Sequence, residues 1–192
     1  MTARAAITAS EARRLAKVAR DEGEIIWRRS HRADPEAREI ADRHYNRQKP
    51  GTPQFVPPGR CLVLVARTET GRAFWITSWP FAEYVKHAWA GAFVCSAFRN
   101  EGAGLSSDLI RQACAATVAE FGPPPIEGMI TFVDRSQVRR KRDFGRCFRR
   151  AGFRPVGETK GGLVALQLLP ADFPEPMRPL QMAAGPLFEA VA

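Results

Sequence analysis

The sequence predicts one mixed α/β domain of the α+β kind, and three observations carry that expectation. Between residues 61 and 169, short apolar runs of strand length alternate with helical patterns. Two pairs of those runs are joined by tight turns, Thr68-Glu69-Thr70-Gly71 and Lys160-Gly161-Gly162, as in antiparallel hairpins. One long amphipathic pattern spans Ser106–Phe121, with Leu109, Ile110, Ala113, Val118 and Phe121 on its apolar side. A chain of 192 residues, 45% of them hydrophobic, suits a single core. The reading is therefore one domain over 1–192. Helices and a proline-rich loop occupy 1–60, the core 61–169 and a tail 170–192.

The elements follow from local signals. Ser10-Glu11 opens a helical pattern with Leu15, Val18 and Ala19 on one face, running to about residue 22. A second helix starts at Asp34-Pro35-Glu36, with Asp as the N-cap and Pro at the first helical position. It ends near His44-Tyr45. Residues 46–60 form a Pro/Gly-rich loop, and loops of that length are uncommon and often functional. Strands are expected at 61–67, 72–79 and 91–98, with an irregular stretch from Pro80 to Trp89. Gly122-Pro123-Pro124-Pro125 stops the long helix. A strand at 128–133 ends at Asp134, and a basic segment leads to a short helix near 144–151. Strands at 153–158 and 163–169 close the core, and the tail after Pro170 wraps the surface.

The charge narrows the partners. A formal net charge of +9, with 29 basic against 20 acidic residues, suggests a polyanion. Residues 135–150 concentrate it: Arg135, Arg139, Arg140, Lys141, Arg142, Arg146, Arg149 and Arg150 stand against Asp143 alone. Such a run reads either as a solvated face or as a polyanion-binding segment, and its density favours the second. No apolar run reaches the length of a membrane span, and residues 1–10 lack the apolar core of a signal peptide. Cys61, Cys95, Cys114 and Cys147 form no C-x-x-C pair and read as reduced core thiols. The expectation is a cytoplasmic protein without membrane contact. Its oligomeric state is open, a homodimer included.

The most informative stretch is Arg99-Asn100-Glu101-Gly102-Ala103-Gly104, set between an apolar strand and the long helix. Glycines let the backbone approach a phosphate, and the first N–H groups of a helix face outward with a favourable dipole. This predicts a pyrophosphate cradle formed by Arg99, Asn100, Gly102, Ala103 and Gly104. The pattern, together with Arg146-Cys147-Phe148-Arg149-Arg150-Ala151-Gly152-Phe153 and the order of elements over roughly 60–169, resembles the GNAT acetyltransferase superfamily. That resemblance implies a central mixed, mostly antiparallel sheet flanked by helices, and acetyl-CoA or a related acyl-CoA as cofactor. Many members carry a tyrosine where this chain has Phe148, and phenylalanine has no proton to give.

Three further features resemble the Mom-type DNA-modification family of bacteriophages, a GNAT-related branch. They are His44-Tyr45-Asn46-Arg47, Phe132-Val133-Asp134 and the basic run, with Gly145-Arg146-Cys147-Phe148 in the place of that family's Gly-x-x-aromatic segment. The resemblance implies a transferase that converts adenine N6 in double-stranded DNA to a carbamoylmethyl form, an anti-restriction modification, and a link to iron. It makes Tyr45 and Asp134 the catalytic candidates, with His44 their neighbour, and the same three residues the metal candidates. Arg47, Arg135, Arg139, Arg140, Lys141, Arg142 and Arg146 become the nucleic-acid-binding candidates. Simpler readings stand beside these. His44 and Tyr45 also fit a helix end packed on a sheet, and Asp134 fits the cap of the next turn. Trp27, Trp75, Trp79, Trp89 and Phe55 read first as core. Any that are exposed near the proline-rich loop could stack on an extruded base. An ordinary N-acetyltransferase on a small amine or peptide, with Asp134 or Glu101 as base, is the alternative function. A catalytically inert nucleic-acid-binding protein on the same scaffold is a third.

Overall fold

The strand runs assemble into one seven-stranded sheet in a computed structural model, which describes residues 25–85, 87–137 and 143–181. The helix expected at 10–22 lies outside those residues. The sheet order is β1-β2-β3-β4-β5-β7-β6, built from Arg28–Ser30, Arg60–Arg67, Arg72–Trp79, Phe93–Glu101, Met129–Val133, Arg154–Glu158 and Val164–Leu168 as β1 to β7. All neighbours are antiparallel except β4 and β5. Three α-helices accompany the sheet among the described residues: α1 (Pro35–Asp42), α2 (Ser106–Phe121) and α3 (Arg146–Arg150). The mixed, mostly antiparallel α+β class expected from the sequence is what the chain forms.

The local signals act as read. The Asp34 carboxylate accepts from the N–H groups of Glu36 and Ala37, and Pro35 occupies the first turn of α1. The β2–β3 hairpin keeps register over eight residue pairs. It turns where the Thr68 N–H donates to the Gly71 carbonyl.

Two cores lie on opposite faces of the sheet. The larger packs α2 and α3 against Trp27, Leu62, Leu64, Trp75, Phe93, Met129 and Leu166. The smaller packs Ala37 and Ile40 of α1, with Phe55 and Val56 of the proline-rich loop, on Val63, Val65, Phe74 and Ile76. That loop is thus pinned to the face opposite α2. A buried hydrogen-bond relay ties β3 to α2. The Trp75 indole N–H donates to the Thr77 hydroxyl at 2.6 Å, the Thr77 and Thr117 hydroxyls lie 2.8 Å apart, and Thr117 donates to the Ala113 carbonyl. Thr117 spends its one hydroxyl proton on the Ala113 carbonyl, so the Thr77 hydroxyl donates to Thr117 while accepting from the indole.

Two features depart from the sequence reading. β1 is a strand in a run expected to be a connection. It pairs with β2 and with the C-terminal segment, where Arg29 N–H donates to the Leu180 carbonyl and Leu180 N–H to that of Trp27. The tail thus returns to β1. β4 also runs three residues further than expected, to Glu101, because polar residues continue its ladder with β3 up to the Ala73–Asn100 pair.

Candidate active site

The site is made by two strands that separate. β4 and β5 pair in parallel only over Phe93–Met129, Val94–Ile130 and Cys95–Thr131. Beyond that, β4 stays with β3 and β5 with β7, and a cleft opens at the carboxyl ends of both strands. Crevices of this kind hold ligands in α/β proteins. β4 also carries a bulge: Ile76 pairs with Ala97 and Thr77 with Cys95, leaving Ser96 unmatched. Bulges re-aim the backbone and recur beside active sites. The polar Ser96 inside an apolar run was the sequence signal for it.

Two adjoining cavities fill the cleft. One, of about 280 Å³, is bordered by Arg99, Asn100, Ser106, Cys147 and Phe148 on one side and His44 and Tyr45 on the other. The second, of about 330 Å³, lies among Tyr45, Phe132, Asp134 and Gln137. Tyr45 borders both. The Tyr45 ring stacks on His44 with centroids 4.5 Å apart, and its phenol oxygen faces the Asp134 backbone amide. Residues 89 positions apart in sequence, Tyr45 and Asp134, are therefore neighbours. Tyr45 is 47% exposed as a whole, but desolvation on its cleft side raises the phenol above its usual value, against the Asp134 amide, which lowers it. The phenol is a proton donor at neutral pH.

His44 is held rather than free. The Asn46 N–H donates to its Nδ1 at 3.3 Å, so the ring proton sits on Nε2, which faces the Phe98 carbonyl at 3.1 Å. Burial lowers its pKa, so the ring is neutral. Both nitrogens are engaged, and neither has a lone pair left for a metal. Asp134 Oδ1 accepts from the Ser136 hydroxyl and N–H, capping the turn Arg135–Gln137. These bonds lower its pKa, the Ser136 hydroxyl foremost, so it is a carboxylate at neutral pH. The capping role weighed from the sequence is therefore real. Among the described residues no group of three His, Cys, Asp or Glu side chains is placed to hold a metal ion. The His44, Tyr45 and Asp134 donors do not fit an iron site in this arrangement.

The glycine loop is organised by Asn100. Its side-chain oxygen accepts from the N–H groups of Gly102 and Ala103, and its amide donates to the Gly104 carbonyl and the Ser106 hydroxyl. Gly102 is required: its φ is +94°, and a Cβ there would stand 2.9 Å from the Thr70 carbonyl oxygen. Leu105, at the N-cap of α2, has no side-chain acceptor to offer. The Asp108 N–H turns back to the Leu105 carbonyl at 3.0 Å, so the amides of Ser106 and Ser107 are the ones at the helix start that face a ligand. The Gly102 and Ala103 amides, expected to hold an anion, are instead spent on Asn100. Arg99 borders the cavity but bonds Glu101 at 2.6 Å, which Arg43 also grips through two nitrogens. Arg43 foremost, and Arg99, hold the Glu101 carboxyl at about 2, too acidic for the base role weighed for it.

The basic candidates divide. Arg47 acts as a brace: it bonds Asp42, the Gln54 and Thr52 carbonyls and the Thr52 hydroxyl, and its side chain is only 10% exposed. Arg135 pairs with Glu158 and lies over Phe144. Arg146 shares Asp143 with Arg149. Both are half exposed. Arg139, Arg140, Lys141 and Arg142 lie outside the described residues. Phe148 is buried against Trp75, Phe98 and Phe153. Trp27, Trp75 and Phe55 are buried, as the core reading had them.

Sequence reasoning quoted Asn46 in a motif without giving it a role, and missed Thr131. Asn46 donates to the Ser96 carbonyl at the bulge, and Thr131 bridges to the Cys95 carbonyl where the strands part. Comparisons with protein-family models, characterised proteins and solved structures find no match. No helix of the described residues is long and apolar enough to cross a membrane.

Proposed function

We propose that this chain is a GNAT-like transferase that modifies adenine N6 in double-stranded DNA, a Mom-type, anti-restriction activity. The observation that carries the reading is the meeting of Tyr45 and Asp134 in the cleft between β4 and β5, opposite the open N-terminus of α2. A GNAT-like enzyme needs such a cleft, formed where two parallel-paired strands diverge, with an anion-receiving helix end at one mouth. The order β5-β7-β6, with the last strand inserted, supports the same reading. The residues fit an acyl-CoA in part. The first N–H groups of α2, the Ser106 hydroxyl and Arg99 would receive its pyrophosphate, and the Gly102 and Ala103 amides would not. When bound, the thioester supplies an activated carbon to the cleft.

Tyr45, protonated at neutral pH, donates toward negative charge developing in the cleft, a role that Phe148 cannot take. Asp134, ionised, accepts from the exocyclic N–H and orients the amine. The carbamoylmethyl identity of the transferred group rests on the resemblance alone. The ordinary N-acetyltransferase reading is favoured by a different observation: Arg47, Arg135 and Arg146 are all engaged in ion pairs within the protein.

Nucleoside mass spectrometry of plasmid DNA from expressing cells decides between them. A modified deoxyadenosine that disappears in a Tyr45→Phe/Asp134→Ala variant is the expected result. Unmodified DNA from a folded, acetyl-CoA-binding protein would leave N-acetyl transfer as the function.

A further inference from the structure

A further cavity lies outside the cleft described above. It has a volume of about 900 Å³ and sits between the proline-rich loop and the sheet. It meets the cofactor-side cavity at Asn46, Ser96 and Ala97, which border both. Its volume is at the upper end for small-molecule sites. The loop over it is pre-organised. Arg47 ties down the Thr52 and Gln54 carbonyls, Asp42 accepts from the Gly51 N–H, and Phe55 and Val56 are buried in the smaller core. The cavity therefore needs no folding step to receive a ligand.

The lining chemistry is selective. Gln48 and Gln54 bring two carboxamides to its edge, beside Asn46, whose amide is bonded to the Ser96 carbonyl; Phe55 and Val56 give it an apolar wall, and Lys49 and Arg47 stand at its border. No Asp or Glu borders it. A pocket for a cationic amine, such as a polyamine or a lysine side chain, needs a carboxylate to offset the charge it buries. Arg47 is paired with Asp42, and Lys49 gives this pocket a positive border. Carboxamides pair bidentately with the edge of adenine, and enzymes acting on bases hold the extruded base against apolar walls while reading its edge.

We infer that this cavity is the acceptor pocket and takes a nucleobase carried on a phosphate, with Gln48 and Gln54 reading the base edge, Lys49 meeting the phosphate, and one N–H of the exocyclic amine directed past Asn46 and Ser96, which border this cavity and that of Asp134 alike. This rests on the DNA-modifying reading and names the part of the molecule that would hold the extruded adenine. Both glutamines are exposed loop residues, so replacing them leaves the cores intact.

The test measures binding of two probes, deoxyadenosine monophosphate and spermidine, to the full chain by NMR titration. Wild type, Gln48→Ala/Gln54→Ala and Gln54→Glu are compared, with thermal melts confirming that each is folded. The expected result is nucleotide binding with shifts at 46–58, no spermidine binding, and affinity about tenfold weaker in the double alanine variant. Gln54→Glu should weaken the nucleotide further and admit spermidine. Nucleotide affinity unchanged in both variants, or spermidine bound by the wild type at the same residues, would overturn the assignment. The two ideas fail separately. Plasmid adenine still modified by the double alanine variant at the wild-type level removes the pocket but keeps the DNA reading. Glutamine-dependent nucleotide binding without any DNA modification does the reverse.

Discussion

Replacing Glu101 by Gln probes both the stability of the site and the identity of its base. The Glu101 carboxylate receives Arg43 at 2.6 and 2.8 Å and Arg99 at 2.6 Å, and its pKa falls from an ordinary 4.5 to about 2. Converted in full, that gap corresponds to about 3 kcal/mol. Both arginines are more than a third exposed, at 38% and 36%, so solvent screening reduces it to about 1–2 kcal/mol. For a chain of this size the melting temperature should drop by about 2–8 °C at pH 7. The sign is set by a depressed carboxyl. Its contribution is complete above pH 4.5 and is lost as the pH falls toward 2. The gap between wild type and variant, followed by thermal melts from pH 7 to 2, should therefore close in acid. Because the carboxylate is too acidic to be the base, transferase activity should stay within about threefold of wild type, since a general base contributes at least about a hundredfold. A gap that persists at pH 2 would refute the electrostatic account. Activity lost a hundredfold would make Glu101 the base after all.

Three other outcomes follow from the packing. Thr77→Val strands the buried Trp75 indole N–H and should cost about 1–3 kcal/mol in urea denaturation. Thr117→Val should cost less, since the indole keeps its partner. Asp34→Ala removes the cap of α1 and should cost about 0.5–2 kcal/mol. Burial opposes ionisation of Asp34, but the Ser30 hydroxyl and the Glu36 and Ala37 amides prevail and lower its pKa. The difference from wild type should thus fade as the pH drops below 3.8 in melts at graded pH. Gly128→Ala places a Cβ 2.0 Å from the Leu168 carbonyl oxygen at a φ of +58°. The loss in denaturant midpoint should exceed the about 1–2 kcal/mol of left-handed backbone alone.

What could be read in the sequence was what local chemistry decides. Asp34-Pro35 opened a helix and Gly122 closed one, because cap and stop residues act within a turn. β3 and α2 have the bounds their patterns implied. β1 escaped because Arg28-Arg29-Ser30 has no apolar alternation. It is a strand only because β2 and Leu180 supply partners from far along the chain. The site was legible as residue types but not as connections. Arg47 in a basic stretch looks like a phosphate ligand until Asp42, Thr52 and Gln54 are seen to use its donors. Asn100 looked like one more loop residue, yet its side chain takes the two amides that the motif seemed to offer. Tyr45 and Asp134 could meet only because β4 and β5 part where they do, and no spacing encodes that.

The seam between β4 and β5 also has a mechanical meaning. Eight residue pairs hold β2 to β3, but only three hold β4 to β5. The sheet is in effect two plates, β2 to β4 and β5-β7-β6, stitched along one short edge. A molecule occupying the cleft bears on both plates at once and acts as a clasp across the joint. Amides near Cys95 and Thr131 should then exchange with solvent sooner than those of β2 and β3 in the empty protein, and slow most when the cleft is filled. The line along which β4 and β5 part is the line where its ligand would sit.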